Sequence, residues 1–149
     1  MLQIVRTNSG DANFQALVAL LDKGLRVTDG DDFSFFTQFN KLDDIKHVIV
    51  AYSGEIAVGC GAFKKYSDDT AEIKRMFVRE DFRGKGAAKE ILAELETWAK
   101  ETGYPNCILE TGNVMLAAIS LYENSGYKRI PNYGQYENSI RSICMQKSL

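Results

Sequence analysis

A mixed α/β fold is the class that the sequence predicts, with a mostly antiparallel sheet and helices on both faces. Three patterns point to it: an amphipathic helix near the N-terminus, then three successive β-rich segments, then alternating strands and helices ending in a strand pair. A meander followed by a β-α-β unit produces a mixed sheet of this kind.

Leu2 to Arg6 is a short strand candidate. From Asp11 onward Phe14, Leu17, Val18, Leu21 and Leu25 recur at helical spacing, and Ser9 or Asp11 suits the cap. Asp29-Gly30-Asp31-Asp32 breaks that pattern, and Phe33 to Asn40, with Phe35, Phe36 and Phe39, reads as a second short helix. His47 to Tyr52 is β-rich, Ser53-Gly54-Glu55 suits a hairpin turn, and Ile56 to Tyr66 resumes extended structure. After a turn at Ser67-Asp68-Asp69, Thr70 to Val78 completes the meander. A polar, glycine-containing stretch follows, and Ala88, Ile91, Leu92, Leu95, Trp98 and Ala99 then mark a helix that Gly103 stops. Asn106 to Thr111 is a strand, Val114 to Asn124 a helix ended by Gly126, and Tyr127 to Ile130 with Ser139 to Gln146 a closing strand pair.

The 149 residues suit one domain spanning 1–149, and an apolar share of 45% suffices for a single core. Charge is nearly balanced, 18 Lys and Arg against 20 Asp and Glu, which argues against nucleic acid held on a basic surface. No apolar run approaches the roughly 20 residues of a membrane span. The N-terminus lacks the basic-then-apolar layout of a signal peptide, so a cytoplasmic protein without a membrane partner is expected. Cys60, Cys107 and Cys144 are odd in number and form no CxxC pair, which predicts reduced core thiols and no metal site.

The segment from Val78 to Ala88 carries chemistry. A strand ends, a turn follows, and a helix starts with small residues. First-turn amides have no intrahelical partner, and the helix dipole adds partial positive charge there. Gly84 and Gly86 let a bulky anion approach, while Arg83, Lys85 and Lys89 add cationic charge. The result is a candidate pyrophosphate cradle. The bland reading is a strand-to-helix turn that needs glycine and is incidentally basic. Neither the GxxxxGK[ST] frame nor GxGxxG is present.

Ile73 to Val78, then Phe82-Arg83-Gly84-Lys85-Gly86-Ala87-Ala88, resemble the acetyl-CoA-binding motif of the GNAT N-acetyltransferase superfamily, [QR]-x-x-G-x-[GA], on which Arg83, Gly86 and Ala88 fall. Ala118-Ile119-Ser120-Leu121-Tyr122-Glu123-Asn124-Ser125-Gly126-Tyr127 resembles the family's A-x-x-L-Y-E-x-x-G-[FY] motif. The resemblance covers about residues 48 to 146 and implies the GNAT-type sheet with acetyl-CoA as co-substrate. It implies that the strand carrying Met76, Phe77 and Val78 pairs its backbone with the pantetheine arm. It places the pyrophosphate on the amides from Gly84 through Lys85, Gly86 and Ala87 to Ala88. Two positions depart from the family pattern: Met115 stands where several relatives have an asparagine, with Asn113 out of register, and Glu80 replaces a turn proline.

Acetyl transfer to an amine needs a base, because a lysine-like amine titrates near about 10, and an acid for the departing thiolate. The resemblance assigns the acid to Tyr122 and matches Glu110 to a glutamate base of ribosomal-protein alanine acetyltransferases. Glu72 and a water relay remain competitors for the base. Strict alternation puts Glu72, Lys74, Met76 and Val78 on one face of their strand. His47, the lone histidine, reads as a sheet or surface residue, and without a second histidine or suitable serine direct transfer is favoured over a nucleophilic triad.

In GNAT proteins the acceptor pocket forms from the segment after the first helix and from the final hairpin. Here those are Asp29 to Asn40 and Pro131 to Glu137, which are acidic and aromatic and include Asn132, Tyr133 and Tyr136. That lining suits a cationic small-molecule or amino-acid-like primary amine. The alternatives are a protein N-terminus or lysine as acceptor, or a non-catalytic acyl-CoA sensor. Homodimerisation is left open.

Overall fold

Seven strands join in one sheet in the computed structural model, which describes residues 1–29 and 44–149. The elements are β1 (Gln3–Thr7), α1 (Ala12–Asp29), β2 (His47–Ser53), β3 (Ile56–Ser67), β4 (Thr70–Val78), α2 (Ala87–Thr102), β5 (Asn106–Gly112), α3 (Leu116–Asn124), β6 (Lys128–Ile130) and β7 (Ser142–Ser148). The predicted helix over 33–40 and the loop from 30 lie outside the described residues. No helix among the described residues is long and apolar enough to cross a membrane.

Local chemistry accounts for the boundaries. Asp11 is the cap of α1, its Oδ1 accepting from the amides of Asn13 and Phe14 at 2.8 and 3.0 Å. Ser9 instead receives the returning chain, exchanging bonds with Ile45 at 2.9 and 3.0 Å. Gly103 ends α2 with φ 111°, a left-handed conformation that suits glycine. The third helix starts at Leu116, later than the predicted Val114, because Met115 N–H closes a turn onto the Gly112 carbonyl.

The sheet order is β1-β2-β3-β4-β5-β7-β6. All neighbours are antiparallel except β4 and β5, whose parallel pairing covers only Thr70 to Glu72 against Asn106 to Ile108. The rest of β4 therefore has an edge that β5 does not fill. Helices cover both faces, as predicted. Phe14, Leu17 and Val18 of α1 pack on Val48, Val50, Cys60 and Ala62. Ile91, Leu92, Leu95 and Ala99 of α2, with Tyr122 of α3, pack on Ile49, Ala51, Ile73, Cys107, Leu109 and Met145. Strand β2 is buried on both sides, which explains its unbroken apolar run. Cys60, Cys107 and Cys144 are free and buried, and burial raises the Cys60 thiol to about 12.

One expectation fails. Strand β4 carries a β-bulge: Cys60 opposes Phe77 and Ala62 opposes Lys74, so two β4 residues stand against Gly61. Arg75 takes the extra position with φ 61°, and its guanidinium is buried against Asp22 Oδ1 at 3.2 Å. The bulge reverses the alternation. Met76 and Val78 join the α2 core, whereas Glu72 and Lys74 face tyrosines of the final loop.

Candidate active site

Between Val78 and α2 the chain makes a 3-10 turn over Glu80–Phe82 and then the two-glycine segment. Gly84 and Gly86 have φ 78° and 86°, which an L side chain adopts at a cost, and a Cβ at either would meet nothing within 4 Å. The backbone conformation, and not crowding, therefore calls for glycine, and the open space leaves room for a ligand. Gly86 caps α2 without a side-chain bond, and the first amide to close onto the helix is that of Glu90, on the Gly86 carbonyl at 3.1 Å. The amides of Ala87, Ala88 and Lys89 consequently lack intrahelical acceptors. Lys85 and Lys89 are exposed beside them. Arg83 folds back, with Nε on the Val78 carbonyl at 2.8 Å and its guanidinium over the Phe77 ring at 5.7 Å. It closes the turn onto the strand.

The unfilled edge of β4 leads from this turn into the molecule. Arg79 N–H donates to the Val58 carbonyl at 2.8 Å, and Phe77 opposes Cys60. This parity directs the backbone groups of Phe77 and Arg79 to β3 and those of Met76 and Val78 to the open edge. Of the three predicted strand residues, Phe77 thus differs: its side chain packs toward α1 and its backbone is spent on the sheet.

A cleft opens where β4 and β5 part. Its lining includes Glu72, Lys74, Met76, Glu110, Tyr122 and Arg141. Tyr122 is 6% exposed and rests edge-on against Tyr127 at 5.8 Å between ring centroids. Burial pushes its phenol above the ordinary value, and the charge of Glu110 adds to that. Tyr122 and Glu110, twelve residues apart in sequence, therefore meet at one cleft. Glu72 shares it, so the fold brings both candidate bases together.

The segment from Asn132 to Ser142 supplies partners to Glu72, Lys74 and Glu110 in the cleft. Tyr133 donates to Glu72 Oε2 at 2.7 Å, Lys74 Nζ donates to Tyr136 Oη at 3.3 Å, and Ser142 donates to Glu110 Oε2 at 2.6 Å. Burial lowers the Lys74 ammonium, with Glu72 pulling in the opposite direction. Asn132 holds the loop, its amide reaching the Ser139 and Ser142 carbonyls at 3.0 and 3.2 Å. Asn113 also lines the cleft, with its amide on the Ile140 carbonyl at 3.3 Å, and Met115 lines it beside Asn113. His47 lies in β2, stacked on Phe63 at 4.4 Å, away from the cleft lining. The predicted acceptor residues from 30 to 40 lie outside the described residues.

Sequence reasoning did not single out Lys74, Arg141 or Ser142 as site residues. The first shares its strand face with Glu72 and was open to that inference. The other two become visible only through the β5–β7 register, which sets Glu110 opposite Cys144 and Gly112 opposite Ser142. Among the described residues no group of three or more His, Cys, Asp or Glu gathers around a metal-sized space.

Residues 14–127 match the family model described as acetyltransferase (GNAT) family. An IAA acetyltransferase of Azospirillum brasilense is 33% identical over 107 residues, 71% of this chain and 69% of that one. A crystal structure from Klebsiella pneumoniae, described as an acyl-CoA N-acyltransferase, matches with a TM-score of 0.83 at 30% identity, over 100% of this chain and 98% of that one. The PaiA N-acetyltransferase of Thermoplasma acidophilum, solved with coenzyme A, matches with a TM-score of 0.74 over 100% and 99% of the two chains. Its 16% identity makes this a likeness of fold alone.

Proposed function

The chain belongs to the GNAT acetyltransferase family, and we propose that it moves the acetyl group of acetyl-CoA directly to a primary amine bound in the cleft between β4 and β5. The observation that carries this reading is the early end of the β4–β5 pairing. It leaves outward-facing backbone groups on Met76 and the outward-facing amide of Val78, whose carbonyl Arg83 holds, between an anion-ready turn and Tyr122. A pantetheine arm can add there as a strand would, with its pyrophosphate on the amides from Gly84 to Ala88 and Arg83 bracing the turn. The fold likeness to a coenzyme A complex is in keeping with this placement.

In the proposed reaction Glu110 takes a proton from the bound ammonium. The free amine attacks the thioester carbonyl, the N–C bond forms, and the C–S bond breaks. Tyr122 delivers a proton to the departing sulfur; its phenol, neutral near neutral pH, donates without further tuning. Glu110 is favoured as base over Glu72 because it is only partly buried at the cleft, whereas Glu72 is 4% exposed. Both charge signs line the acceptor side, Glu72 and Glu110 with Lys74 and Arg141. That pairing favours an acceptor with a carboxylate as well as an amine, an amino-acid-like molecule. The three buried free thiols suit a reducing compartment, so a cytoplasmic location is part of the proposal.

Release of free CoA, measured against free L-amino acids, polyamines and peptides with open N-termini, tests this. Turnover on one or more amino acids is expected. Turnover on peptides alone would reassign the acceptor to protein. Tight acetyl-CoA binding with no turnover on any amine would make the chain a sensor.

A further inference from the structure

We propose that Ser142 and Ser139 form a hydroxyl relay that keeps Glu110 ionised and carries its acquired proton out of the cleft, an inference that rests on Glu110 being the base. Proton balance creates the need. An acceptor that binds as an ammonium carries three N–H protons and leaves as an amide with one. One of the other two replaces the proton that Tyr122 gives to the sulfur, so CoA departs as a thiol. The remaining proton stays on Glu110 and must leave before the next acceptor can be deprotonated.

The geometry supplies a directed path. Ser142 Oγ lies 2.6 Å from Glu110 Oε2, and an ionised carboxylate only accepts, so Ser142 is the donor. Its single proton is then spent. The 2.9 Å contact between the two serine hydroxyls must therefore have Ser139 donating to Ser142. Ser142 is 8% exposed, whereas Ser139 is only partly buried and reaches water. Asn132 clamps both serine carbonyls, which keeps the two hydroxyls in range. Once Glu110 is protonated, every bond reverses: the carboxyl donates to Ser142, Ser142 to Ser139, and Ser139 to solvent. No bond other than O–H is made or broken, and one proton enters for each that leaves.

Other groups also act on Glu110. Glu72 and Lys74 face it from β4, Tyr122 from α3, Tyr136 from the 3-10 turn over Gly134–Tyr136, Cys144 from β7, and Arg141 from the residue before β7. Replacing Ser142 by alanine removes a hydroxyl and no charge, so these groups stay as they are. Any change in the titration of Glu110 then belongs to the hydrogen bond.

The test needs no identified acceptor. In the free enzyme, the infrared carboxyl band that vanishes in Glu110→Gln is followed against pH. In Ser142→Ala its midpoint is expected to rise by about one pH unit, because the charged form loses a donor. Ser142→Thr, which restores a hydroxyl, should return it toward wild type, and melting curves confirm that both variants fold. An unchanged midpoint in Ser142→Ala would overturn the positioning role. With the fastest acceptor from the amine panel, Ser139→Ala should lower kcat several-fold without moving the midpoint; wild-type kcat would remove the outward path. Full turnover in Glu110→Gln would instead sink the base assignment and the relay with it. An inactive Glu110→Gln beside an unshifted Ser142→Ala would sink the relay alone.

Discussion

Tyr122 is 6% exposed, and its phenol is held above the ordinary value of about 10 first by burial and then by the charge of Glu110. The neutral form is therefore the one the fold favours, and it persists to higher pH than in a free tyrosine. In the proposed mechanism this keeps the acid loaded across the neutral and mildly alkaline range. Tyr122→Phe should lower kcat roughly 100-fold while leaving acetyl-CoA affinity within about twofold, and steady-state kinetics with calorimetry check the split. The kcat profile of the unmodified enzyme should show no alkaline limb from Tyr122 below pH of about 10. The tyrosine was legible in the sequence because its motif surrounds it. Its carboxylate neighbour was legible as a residue, but the serine that holds that carboxylate was not. Ser142 lies 32 positions away, and only the β5–β7 register brings the two together.

At the level of elements, glycines with different physical duties separate the turn before α2 from the sheet. Gly86 caps α2 at φ 86° with open space around it, whereas Gly61 sits under α2, where a Cβ would come within 2.6 Å of Met76 Sδ and 2.8 Å of Leu95 Cδ1. Gly86→Ala should therefore cost about 1–2 kcal/mol through the backbone and weaken acetyl-CoA binding. Gly61→Ala should cost about 1–3 kcal/mol through overpacking, with affinity changed less. Thermal melts paired with calorimetric titration of acetyl-CoA distinguish the two. The helix stripes and strand runs were readable element by element, since each reports its own periodicity. The bulge at Arg75 was not: an arginine gives no sign that it will adopt φ 61°, where a glycine would have hinted at it. One inserted residue reversed the faces of β4, moving Met76 and Val78 away from Glu72 and Lys74.

Across the whole molecule, the β1–β4 and β5–β7 parts of the sheet are joined in the ladder by three parallel residue pairs, with α2 packed over both. A ligand that fills the gap beyond those pairs binds the folded chain and not the unfolded one. Acetyl-CoA at 100 times its Kd adds about 2.7 kcal/mol. For a chain of 149 residues that should raise Tm by roughly 5–10 °C, which a fluorescence melt measures, and CoA alone should give a smaller rise if the acetyl group is also held. The sequence by itself determined the mixed class, the order of the described elements and the two-glycine turn before α2, because these depend on periodicity, capping and short-range motifs. Tertiary structure alone decided the cleft, the face on which each β4 side chain lies, and the pairing of Glu72, Lys74 and Glu110 with Tyr133, Tyr136 and Ser142. Those depend on strand register and on where a parallel pairing stops, and both are set by contacts between residues far apart in the chain.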